Sequence, residues 1–395
     1  MTILVITWNF PPRRGGIEYL ISNLCAGLRE KHSVLVITAH TLVPQAGEKD
    51  IFRAPWPGLI PFALYVIWRG ARLLRSNPDT DVIFGGSVLV APLVLILARL
   101  FGRRAVLQTH GLDVIYSNRL YQALCVYWLR FFDRVIANSA FTASLVTRKA
   151  ISTDLVSVIP PGVHPERFRA RRIAPAWVRE KFNIVGKRII LFVGRLAKRK
   201  GITEFIRYSL GRITKEFPDT CLVVVGDNPT ESLTHRNDTL REIELAISET
   251  GLANHVRLVG SLSDTDVAAL YQACDVVILP ALLSEKDVEG FGIVLIEAAA
   301  AGKPAVTTRV GGIPDAVEDG KTGILTEPGD YERMSHGVIS LLNDGQTKQV
   351  MGEAAMRRAQ DKFCWPKITA QYETAFGFCQ PNEKPRRRSI LLRHS

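Results

Sequence analysis

Two glutamates eight positions apart flank a short glycine-containing loop in the second half of the chain. Glu289 and Glu297 enclose Gly-Phe-Gly-Ile-Val-Leu-Ile, which follows a predicted strand at 276–279 and indicates a loop that turns into a helix. Gly290 and Gly292 let the backbone approach a ligand, and the first N–H groups of a helix have no partner within it. The pattern predicts an anion or hydroxyl site in which two carboxylates accept hydrogen bonds from one extended ligand. An acidic loop with Glu297 on a helix surface is the alternative.

A basic pair follows another predicted strand in the same half. The strand at 188–193 ends on Val-Gly-Arg195, and Lys200-Gly201 comes five residues later. A guanidinium fork and an ammonium group that converge beside a strand end suit a diphosphate. A solvated basic loop would have the same composition, so the pair gains meaning only together with the two glutamates.

The first half of the chain offers a Gly-Gly pair and a histidine. Gly15 and Gly16 close the segment Pro-Pro-Arg-Arg-Gly-Gly between the first strand and a helix, where the backbone can approach another group. A plain turn would also use them, and the Gly-x-Gly-x-x-Gly fingerprint of dinucleotide binding is absent. His110 comes directly after the predicted strand at 105–109, which directs it into a cleft between domains. A structural histidine is the alternative there.

These residues all follow short apolar strands that alternate with helical stretches. Continuous apolar strands flanked by helices predict an α/β fold with parallel sheets covered on both faces, whose ligands lie at the carboxyl ends of the strands. The predicted strands are Ile3–Thr7, Ser33–Thr38, Val82–Phe84, Ala105–Thr109, Arg134–Ala137, Arg188–Val193, Cys221–Val225, Val256–Leu258, Val276–Leu279 and Ala305–Thr307.

The length of 395 residues suits two domains with separate cores. A Pro-Pro-Gly turn at 160–162 precedes a basic segment, and a new sheet starts near residue 188. We predict an N-terminal Rossmann-like domain over residues 1–170 and a C-terminal one over 171–364. Residues 365–380 are predicted to form a helix that crosses back to the first domain, and 381–395 a basic, disordered tail.

The cysteines, the N-terminal residues and two acidic triplets bear on the compartment of the protein and on whether it binds a metal ion. The six cysteines are scattered without a Cys-x-x-Cys pair, which favours reduced thiols, and no signal peptide precedes the first strand, so we expect a cytoplasmic protein. Two Asp-x-Asp triplets, at 79–81 and 264–266, resemble metal-binding patterns. The first indicates a turn, and the second, after Ser263, indicates the acidic first turn of a capped helix. We therefore expect no metal and no cofactor.

The net charge of +12 is concentrated in the first half. Residues 1–175 hold 21 Lys and Arg against 10 Asp and Glu, whereas 176–380 hold 24 against 27. Such asymmetry suggests an anionic partner, and without a recognised nucleic-acid motif we expect a membrane surface rather than nucleic acid. The apolar runs 56–74 and 88–100 end in arginines and are too short to span a bilayer. They are predicted either to lie on a membrane or to be core helices.

The motifs together, in this order and spacing, resemble the GT-B family of retaining glycosyltransferases, which includes sucrose synthases and bacterial lipid mannosyltransferases. The resemblance covers nearly the whole chain and extends to Gly311-Gly312-Ile-Pro-Asp315. Where the family usually has Asn-Gly-Val-Asp, this chain has Pro-Gly-Val-His164, a departure near the linker that leaves the donor site intact. The resemblance implies two Rossmann-like domains whose parallel sheets face each other across a cleft.

The resemblance also implies roles. Arg195 and Lys200 would neutralise a donor diphosphate, Glu297 would bind ribose hydroxyls, and the backbone of Leu262 would meet the nucleobase. Glu289 and the loop amides would hold the sugar, with His110 and the Gly-Gly loop approaching when the domains close. The implied donor-binding set is Gly15, Gly16, Arg195, Lys200, Leu262, Glu289, Gly290, Phe291, Gly292, Ile293 and Glu297, with His110, Glu289, Arg195 and Lys200 as catalytic residues.

Within the family, Asp287-Val-Glu289-Gly and Phe10-Pro-Pro-x-x-Gly-Gly are most similar to phosphatidylinositol mannosyltransferases. The implied reaction is retaining, metal-independent transfer of a hexose, mannose first, from GDP-mannose or a UDP-sugar to a lipid, lipid-linked or glycan acceptor. The implied place is the inner face of the cell membrane. A nucleotide-sugar epimerase or phosphorylase on the same fold, or a non-catalytic membrane-associated nucleotide-sugar binding protein, are the alternatives.

Overall fold

The chain forms two parallel β-sheets, each covered by helices. The computed structural model describes residues 1–42, 49–169, 175–228, 238–284 and 287–377. The strands of the first sheet are β1 (Thr2–Thr7), β2 (Ser33–Thr38), β3 (Ile51–Arg53), β4 (Thr80–Gly85), β5 (Arg104–Thr109), β6 (Arg134–Ala137) and β7 (Val156–Val158). Those of the second are β8 (Arg188–Val193), β9 (Thr220–Val225), β10 (Val256–Gly260), β11 (Val276–Leu279), β12 (Ala305–Thr308) and β13 (Gly323–Thr326).

Strand order places a reversal near the middle of each sheet. The first sheet runs β3-β2-β1-β4-β5-β6-β7 and the second runs β10-β9-β8-β11-β12-β13, with parallel pairing throughout. Chain connections leave β1 and β4 in opposite directions, and likewise β8 and β11. The carboxyl ends of such strands bound a crevice where ligands bind in open α/β sheets.

Helices pack on both faces of each sheet. In the first half they are α1 (Gly16–Arg29), α2 (Leu59–Ser76), α3 (Ala91–Phe101), α4 (Leu112–Ile115), α5 (Arg119–Leu124), α6 (Ala140–Thr147) and α7 (Pro165–Arg169). The others are α8 (Pro175–Lys181), α9 (Ile202–Phe205), α10 (Gly211–Glu216), α11 (Thr239–Thr250), α12 (Asp264–Ala273), α13 (Ile293–Ala300), α14 (Ile313–Ala316), α15 (Tyr331–Asn343), α16 (Gly345–Lys362) and α17 (Trp365–Phe376).

The predicted α/β fold of two Rossmann-like domains in the GT-B arrangement is confirmed. All ten predicted strands are present, six of them longer than predicted by one to three residues. Three strands were missed: β3, β7 and β13. The first two are three-residue strands that are only partly buried or exposed, and β13 begins on a glycine, so none has the apolar run by which buried strands are recognised.

The two domains are joined by two chain segments that pair with each other. Val163 donates its N–H to the carbonyl of Phe363 at 2.7 Å, and Trp365 donates to the carbonyl of Val163 at 3.3 Å. After the first crossing, α7 packs on α12 and α13 of the second domain. After the second, α17 packs on α1, and Tyr372 donates a buried 2.6 Å hydrogen bond to Gln108 of β5. The domain limits at 170/171 and 364/365 stay predictions.

His164 lies at this crossing. Its Nδ1 is 2.9 Å from Glu166 Oε1, and its Nε2 is 2.8 Å from Asn23 Oδ1 on α1. The residue that departs from the family pattern therefore links the connection to the first domain. The predicted disordered tail, 381–395, lies outside the described residues.

The two apolar runs of the first domain form α2 and α3, and each has two apolar faces. Phe62, Val66 and Leu73 of α2 are buried in the core, whereas Leu64 and Trp68 on the other face are exposed. Helix α3 similarly buries one side while leaving Ile96 and Leu100 exposed. The inner face of each helix therefore belongs to the core, as the core-helix alternative predicts, whereas contact of the outer face with a membrane stays a prediction. No helix within the described ranges is long and apolar enough to cross a membrane.

Candidate functional site

The predicted site residues lie on loops that meet between the domains. The Gly-Gly loop follows β1 and His110 follows β5, while the basic pair follows β8 and the Glu289 loop follows β11. A Cβ atom built on Gly16 would lie 3.4 Å from Cδ1 of Ile293 in the other domain. One built on Gly290 would lie only 2.3 Å from the carbonyl oxygen of His110. The two halves of the predicted site are therefore in contact, and Gly290 has no room for a side chain.

A buried ion pair occupies the centre of the second domain's half. Lys200 Nζ lies 2.7 Å from Glu289 Oε2, and the exposed fractions of the two residues are 7% and 9%. Arg199 Nε is 3.7 Å from the same oxygen and 3.5 Å from Asp287 Oδ1. Burial acts to raise the pKa of Glu289, but the charges of Lys200 and Arg199 outweigh it and lower that pKa. Glu289 is consequently a carboxylate at neutral pH.

Lys200 is desolvated by the same enclosure. Burial lowers the pKa of its ammonium group, Glu289 opposes this, and Arg199 adds to it. Sequence reasoning missed Arg199 and Asp287 as members of this cluster, although each stands within two residues of a predicted one. The cluster can supply positive charge to an anionic ligand while it fixes the Glu289 side chain.

Arg195 follows the same strand as Lys200 but is exposed. Enclosure by the cleft walls and the charge of Arg199 lower the pKa of its guanidinium, while Glu18, Glu289 and Asp287 oppose this shift. The residue is nevertheless exposed and keeps its charge at neutral pH. Glu18, at the start of α1, is buried and accepts a 2.7 Å hydrogen bond from Asn9 Nδ2. It brings a carboxylate of the first domain near Arg195 and was not singled out from the sequence.

Glu297 lies in the second turn of α13, as predicted, and both its oxygens have neighbours. Tyr271 donates its hydroxyl to Oε2 at 3.1 Å, and Arg167 Nη1 lies 3.8 Å from Oε1. The residue is 9% exposed, and burial raises its pKa, an effect that Arg167 and the Tyr271 hydrogen bond oppose. Glu289 and Glu297 are thus two carboxylates in different electrostatic settings.

Helix α13 begins without a side-chain cap, so its first N–H groups are available to a ligand. Gly292 is the residue before the helix, and no side chain accepts a hydrogen bond from its first N–H groups. Phe291 is 2% exposed and packs edge to face on Phe363, with ring centroids 5.7 Å apart. The amides of this helix start are therefore held beside the ion pair by an aromatic contact at the domain connection.

The Gly311-Gly312-Ile-Pro-Asp315 segment supports the Glu289 loop from behind. Gly312 donates its N–H to the carbonyl of Glu289 at 2.9 Å, and a Cβ atom on Gly312 would lie 2.0 Å from the carbonyl oxygen of Gly290. Three residues on, the Asp315 carboxylate accepts a short hydrogen bond from the N–H of Ala140, the first residue of α6. One loop thus fixes Glu289 and caps a helix of the opposite domain.

The hydrogen bonds of His110 define its tautomer. Nε2 lies 2.8 Å from the carbonyl oxygen of Gly86, and a carbonyl only accepts, so Nε2 carries the proton. The backbone N–H of His110 donates to Asp113 Oδ1 at 2.8 Å. In the neutral imidazole, Nδ1 is then the nitrogen that accepts a hydrogen bond.

Leu262 follows β10, and its side chain packs on the core of the second domain. A cavity of about 240 Å³ opens nearby at the carboxyl ends of β8, β9 and β10. Its walls include Leu196, Val224 and Leu258, with Asp227 and Glu244 as acidic members. This cavity was not predicted, because its lining residues come from four separate segments.

The described residues hold no group of three or more His, Cys, Asp or Glu side chains placed to bind a metal ion. Ser263 accepts a hydrogen bond from the N–H of Asp266 at 3.1 Å, which confirms the predicted cap of α12. Asp79 of the other triplet lies at a turn and accepts from Thr2 at 3.4 Å. Both triplets therefore have local structural contacts.

Comparison with known families gives two matches that together span most of the chain. Residues 176–358 match the model of the glycosyl transferases group 1 family. Residues 14–167 match that of glycosyltransferase family 4. The first match contains the Arg195, Lys200, Glu289 and Glu297 segments, and the second contains His110.

Individual relatives extend over the full length. The chain is 30% identical over 380 residues to a GDP-mannose-dependent α-(1-6)-phosphatidylinositol monomannoside mannosyltransferase of Mycolicibacterium smegmatis, covering 92% of this chain and 95% of the relative. It is 26% identical to a glycogen synthase of Mycobacterium tuberculosis, covering 100% and 99%.

Solved structures share the fold at lower identity. A structure of Anabaena HepE in complex with UDP has a TM-score of 0.78 at 21% identity, covering 96% of this chain and all of that one. The sucrose-phosphate synthase of Thermosynechococcus elongatus has a TM-score of 0.77 at 22% identity, covering 95% and 98%.

Proposed function

Because the chain belongs to the glycosyl transferases group 1 family, we propose that it moves a hexose, with mannose as first choice, from a nucleotide-diphosphate sugar to a lipid, lipid-linked or glycan acceptor. The observation that carries this proposal is the buried Lys200–Glu289 pair beside Arg195, opposite the Gly15-Gly16 loop. Cations and an uncapped helix start suit a diphosphate, and carboxylates suit sugar hydroxyls. The cluster offers both at one place.

In this proposal each group has a distinct task. Arg195 and Lys200 stabilise the negative charge that grows on the diphosphate as the glycosidic bond breaks. Glu289 and the amides from Gly290 to Ile293 hold the hexose, and Glu297 binds the ribose. His110 faces the hexose from the first domain and accepts a hydroxyl hydrogen at Nδ1.

We assign the nucleobase to the cavity beside β10. It adjoins Gly260, two residues before Leu262, whose backbone meets the base in this proposal. Its walls combine apolar side chains with carboxylates, which accept hydrogen bonds from N–H groups of a base.

A front-face route fits Glu289 better than a covalent one. In double displacement a carboxylate attacks the anomeric carbon and forms a glycosyl-enzyme. Glu289 is engaged by Lys200 at 2.7 Å and by Arg199, which lowers its nucleophilicity and suits hydroxyl binding. In the front-face route the acceptor oxygen attacks on the face that the diphosphate leaves, and the leaving phosphate takes the acceptor proton. The configuration is retained without a metal ion.

The donor choice rests on a relative. The Mycolicibacterium smegmatis mannosyltransferase is GDP-mannose-dependent and covers 92% of this chain. A UDP-sugar is the other donor considered, since Anabaena HepE binds UDP on the same fold.

The first domain suits an amphiphilic acceptor. Trp8, just after β1, packs edge to face on Phe62 of α2, with ring centroids 5.1 Å apart, and Arg13 lies 5.3 Å from the Trp8 ring. These contacts connect the Gly-Gly loop to α2, whose outer face is apolar. An acceptor with a lipid part would meet that face while its polar end enters the cleft.

The outer face of α2 continues into a larger apolar surface. Helix α2 packs on α3, α3 packs on the segment 126–131, and that segment packs on α5. We call the exposed apolar residues of these elements, together with Trp56 just before α2, the outer apolar surface: Trp56, Leu59, Ile60, Leu64, Trp68, Ile96, Leu100, Leu120, Leu124, Tyr127 and Trp128. Arg72 and Arg130 lie beside Trp68 and Tyr127 of this surface. Apolar groups bordered by arginines suit the inner, anionic face of a cell membrane.

A donor screen tests the proposal without any acceptor. We expect GDP-mannose to raise the melting temperature more than UDP-glucose, UDP-GlcNAc or UDP-galactose, because only the matching base and sugar fill both subsites. Slow donor hydrolysis by the wild type that is lost in Glu289→Ala would separate an enzyme from a non-catalytic binding protein. No stabilisation by any of the four donors would overturn the proposal.

A further inference from the structure

Helix α7, immediately after the first crossing between domains, reaches the carboxylate that we assign to the ribose. Arg167 Nη1 lies 3.8 Å from Glu297 Oε1, and the Arg167 side chain is one-quarter exposed. Its other nitrogen, Nη2, is 3.2 Å from Asp264 Oδ1 and donates to the Asp264 carbonyl at 3.1 Å. The guanidinium is therefore anchored on α12 while it faces Glu297 on α13.

The next residue of α7 acts on the other oxygen of the same carboxylate. Phe168 is 5% exposed and packs edge to face on Tyr271, with ring centroids 5.6 Å apart. Tyr271 donates to Glu297 Oε2 at 3.1 Å. Two consecutive residues of α7 thus act on the two oxygens of Glu297. Arg167 faces Oε1 directly, and Phe168 packs on the tyrosine that donates to Oε2.

The arrangement matters because the charge of Arg167 acts on the pKa of Glu297. Burial raises the pKa of Glu297, Asp264 adds to this, and Arg167 opposes it. From the first domain, Tyr19 of α1 is also within electrostatic reach: burial and then the charge of Glu297 raise the pKa of its phenol. Among these groups Arg167 is the one cation. Without it, Glu297 would hold a proton at a higher pH and lose acceptor capacity for hydroxyls.

We infer that Arg167 is a positioning residue for nucleotide binding, which together with Phe168 and Tyr271 aims Glu297 Oε1 at the ribose diol and keeps it a hydrogen-bond acceptor. The inference rests on the proposed function, because it assumes a nucleotide in the cleft. It assigns a task to the segment that follows Val163-His164, which lies outside the donor-binding set implied by the motifs. It also explains why a helix of five residues on the connection carries an inward-facing charge.

The test compares nucleotides with and without the diol. GDP and 2′,3′-dideoxy-GDP, or the UDP pair if the wild type prefers UDP, are titrated by calorimetry into wild type and Arg167→Gln between pH 5.5 and 8.5. We expect R167Q to bind GDP about tenfold more weakly at pH 6 and about twofold more weakly at pH 8.5, because Glu297 becomes protonated at a higher pH. Dideoxy-GDP should bind both proteins equally at every pH.

Two further variants keep the result interpretable. Arg207→Gln removes the same charge from a surface pair with Glu249 and should bind GDP as the wild type does at all pH values. Arg167→Lys should recover part of the loss at pH 6. If R167Q does not fold, Tyr271→Phe replaces it, and it should weaken GDP binding while leaving dideoxy-GDP unaffected.

The outcomes separate the inference from its premise. Equal loss of GDP and dideoxy-GDP in R167Q would mean that Arg167 contacts the phosphates or the base, and an unchanged pH dependence would mean that it does not act on Glu297. Either result overturns the inference while the nucleotide site stands. A wild type that binds neither GDP nor UDP would instead overturn the proposed function.

Discussion

The charged side chains buried at the centre of this cleft form an ion pair, Lys200 with Glu289. Lys200 and Glu289 are both more than nine-tenths buried and lie 2.7 Å apart, and Arg199 Nε lies 3.7 Å from the same Glu289 oxygen. Taking one such charge out of water costs several kcal/mol, and the cost is offset only when its partner is present. The ion pair is therefore a structural element as well as a ligand-binding one, and the two roles can be separated by measurement.

Neutralising Glu289 should destabilise the protein as well as inactivate it. In Glu289→Gln the buried Lys200 loses its partner, so we expect the free energy of unfolding in urea to fall by about 3 kcal/mol. The double variant Lys200→Met, Glu289→Gln should recover a large part of that loss while staying inactive. Glu332→Gln, which breaks a pair with Arg212 that is exposed on both sides, is the matched control and should leave stability nearly unchanged. Equal losses of stability in E289Q and E332Q would mean that burial adds nothing to the effect of the Lys200–Glu289 pair.

The two ring nitrogens of His110 can be tested separately. Nε2 donates to the Gly86 carbonyl, and Nδ1 is the acceptor in the proposed mechanism. The amide nitrogen of glutamine reaches about the position of Nε2, so His110→Gln should keep the hydrogen bond to the Gly86 carbonyl and the wild-type stability. It lacks the Nδ1 acceptor, and we expect kcat to fall roughly 100-fold. His110→Asn loses the Gly86 contact and should cost about 1 kcal/mol of stability. Full activity in H110Q, measured by nucleotide release, would remove His110 from the proposed mechanism.

Among the elements, α6 is capped by the opposite domain. Thr142 donates its N–H to Ser139 Oγ within the domain, and Ala140 donates its N–H to the Asp315 carboxylate across the cleft. Negative charge at a helix start is favourable through unpaired N–H groups and the helix dipole. Since Asp315 belongs to the loop that fixes Glu289, this cap couples the approach of the domains to the geometry of the site.

Removing the cap should loosen the approach of the domains more than it loosens either domain. We expect Asp315→Ala to increase the radius of gyration measured by X-ray scattering in the presence of GDP and to lower kcat. Asp330→Ala, which removes the cap of α15 within the second domain, should cost about 1 kcal/mol of stability without changing the radius of gyration. Identical scattering of D315A and wild type would show that the cross-domain cap does not hold the closed arrangement.

Basic charge and exposed apolar side chains are both concentrated on the first domain. The excess of Lys and Arg falls on residues 1–175, and the outer apolar surface lies on the same domain. Apolar area and basic charge contribute separately to binding at an anionic bilayer, and only the electrostatic contribution is screened by salt.

Membrane binding can therefore be tested by placing negative charges on the outer apolar surface. We expect the wild type to float with vesicles that contain phosphatidylglycerol and to bind less at high salt. The double variant Leu64→Glu, Trp68→Glu should abolish flotation with no loss of GDP binding, since both side chains point away from the core. Val350→Glu, an exposed apolar residue of the second domain, is the control and should float normally. No flotation of the wild type at either salt concentration would remove the membrane from the proposal.

The sequence by itself determined the two sheets and the order of their strand-end loops. Buried parallel strands must be continuous apolar runs, so β1, β8 and β11 could be recognised with their following loops, and the Arg195, Lys200, Glu289 and Glu297 segments came with them. Short strands at the margins were missed, because their burial depends on neighbours that are distant in sequence.

Tertiary structure alone decided which side chains share the site. Arg167 and Tyr271 reach Glu297 from two other helices, Asp315 caps a helix of the other domain, and Glu18 faces Arg195 across the cleft. The periodicity of the sequence around a residue indicates only the strand or helix to which that residue belongs. The contacts named here depend instead on how separate elements pack and on how closely the domains approach. The ionisation of Glu297 is decided at that level too, because the field at a buried carboxylate is the sum of charges brought together by the fold.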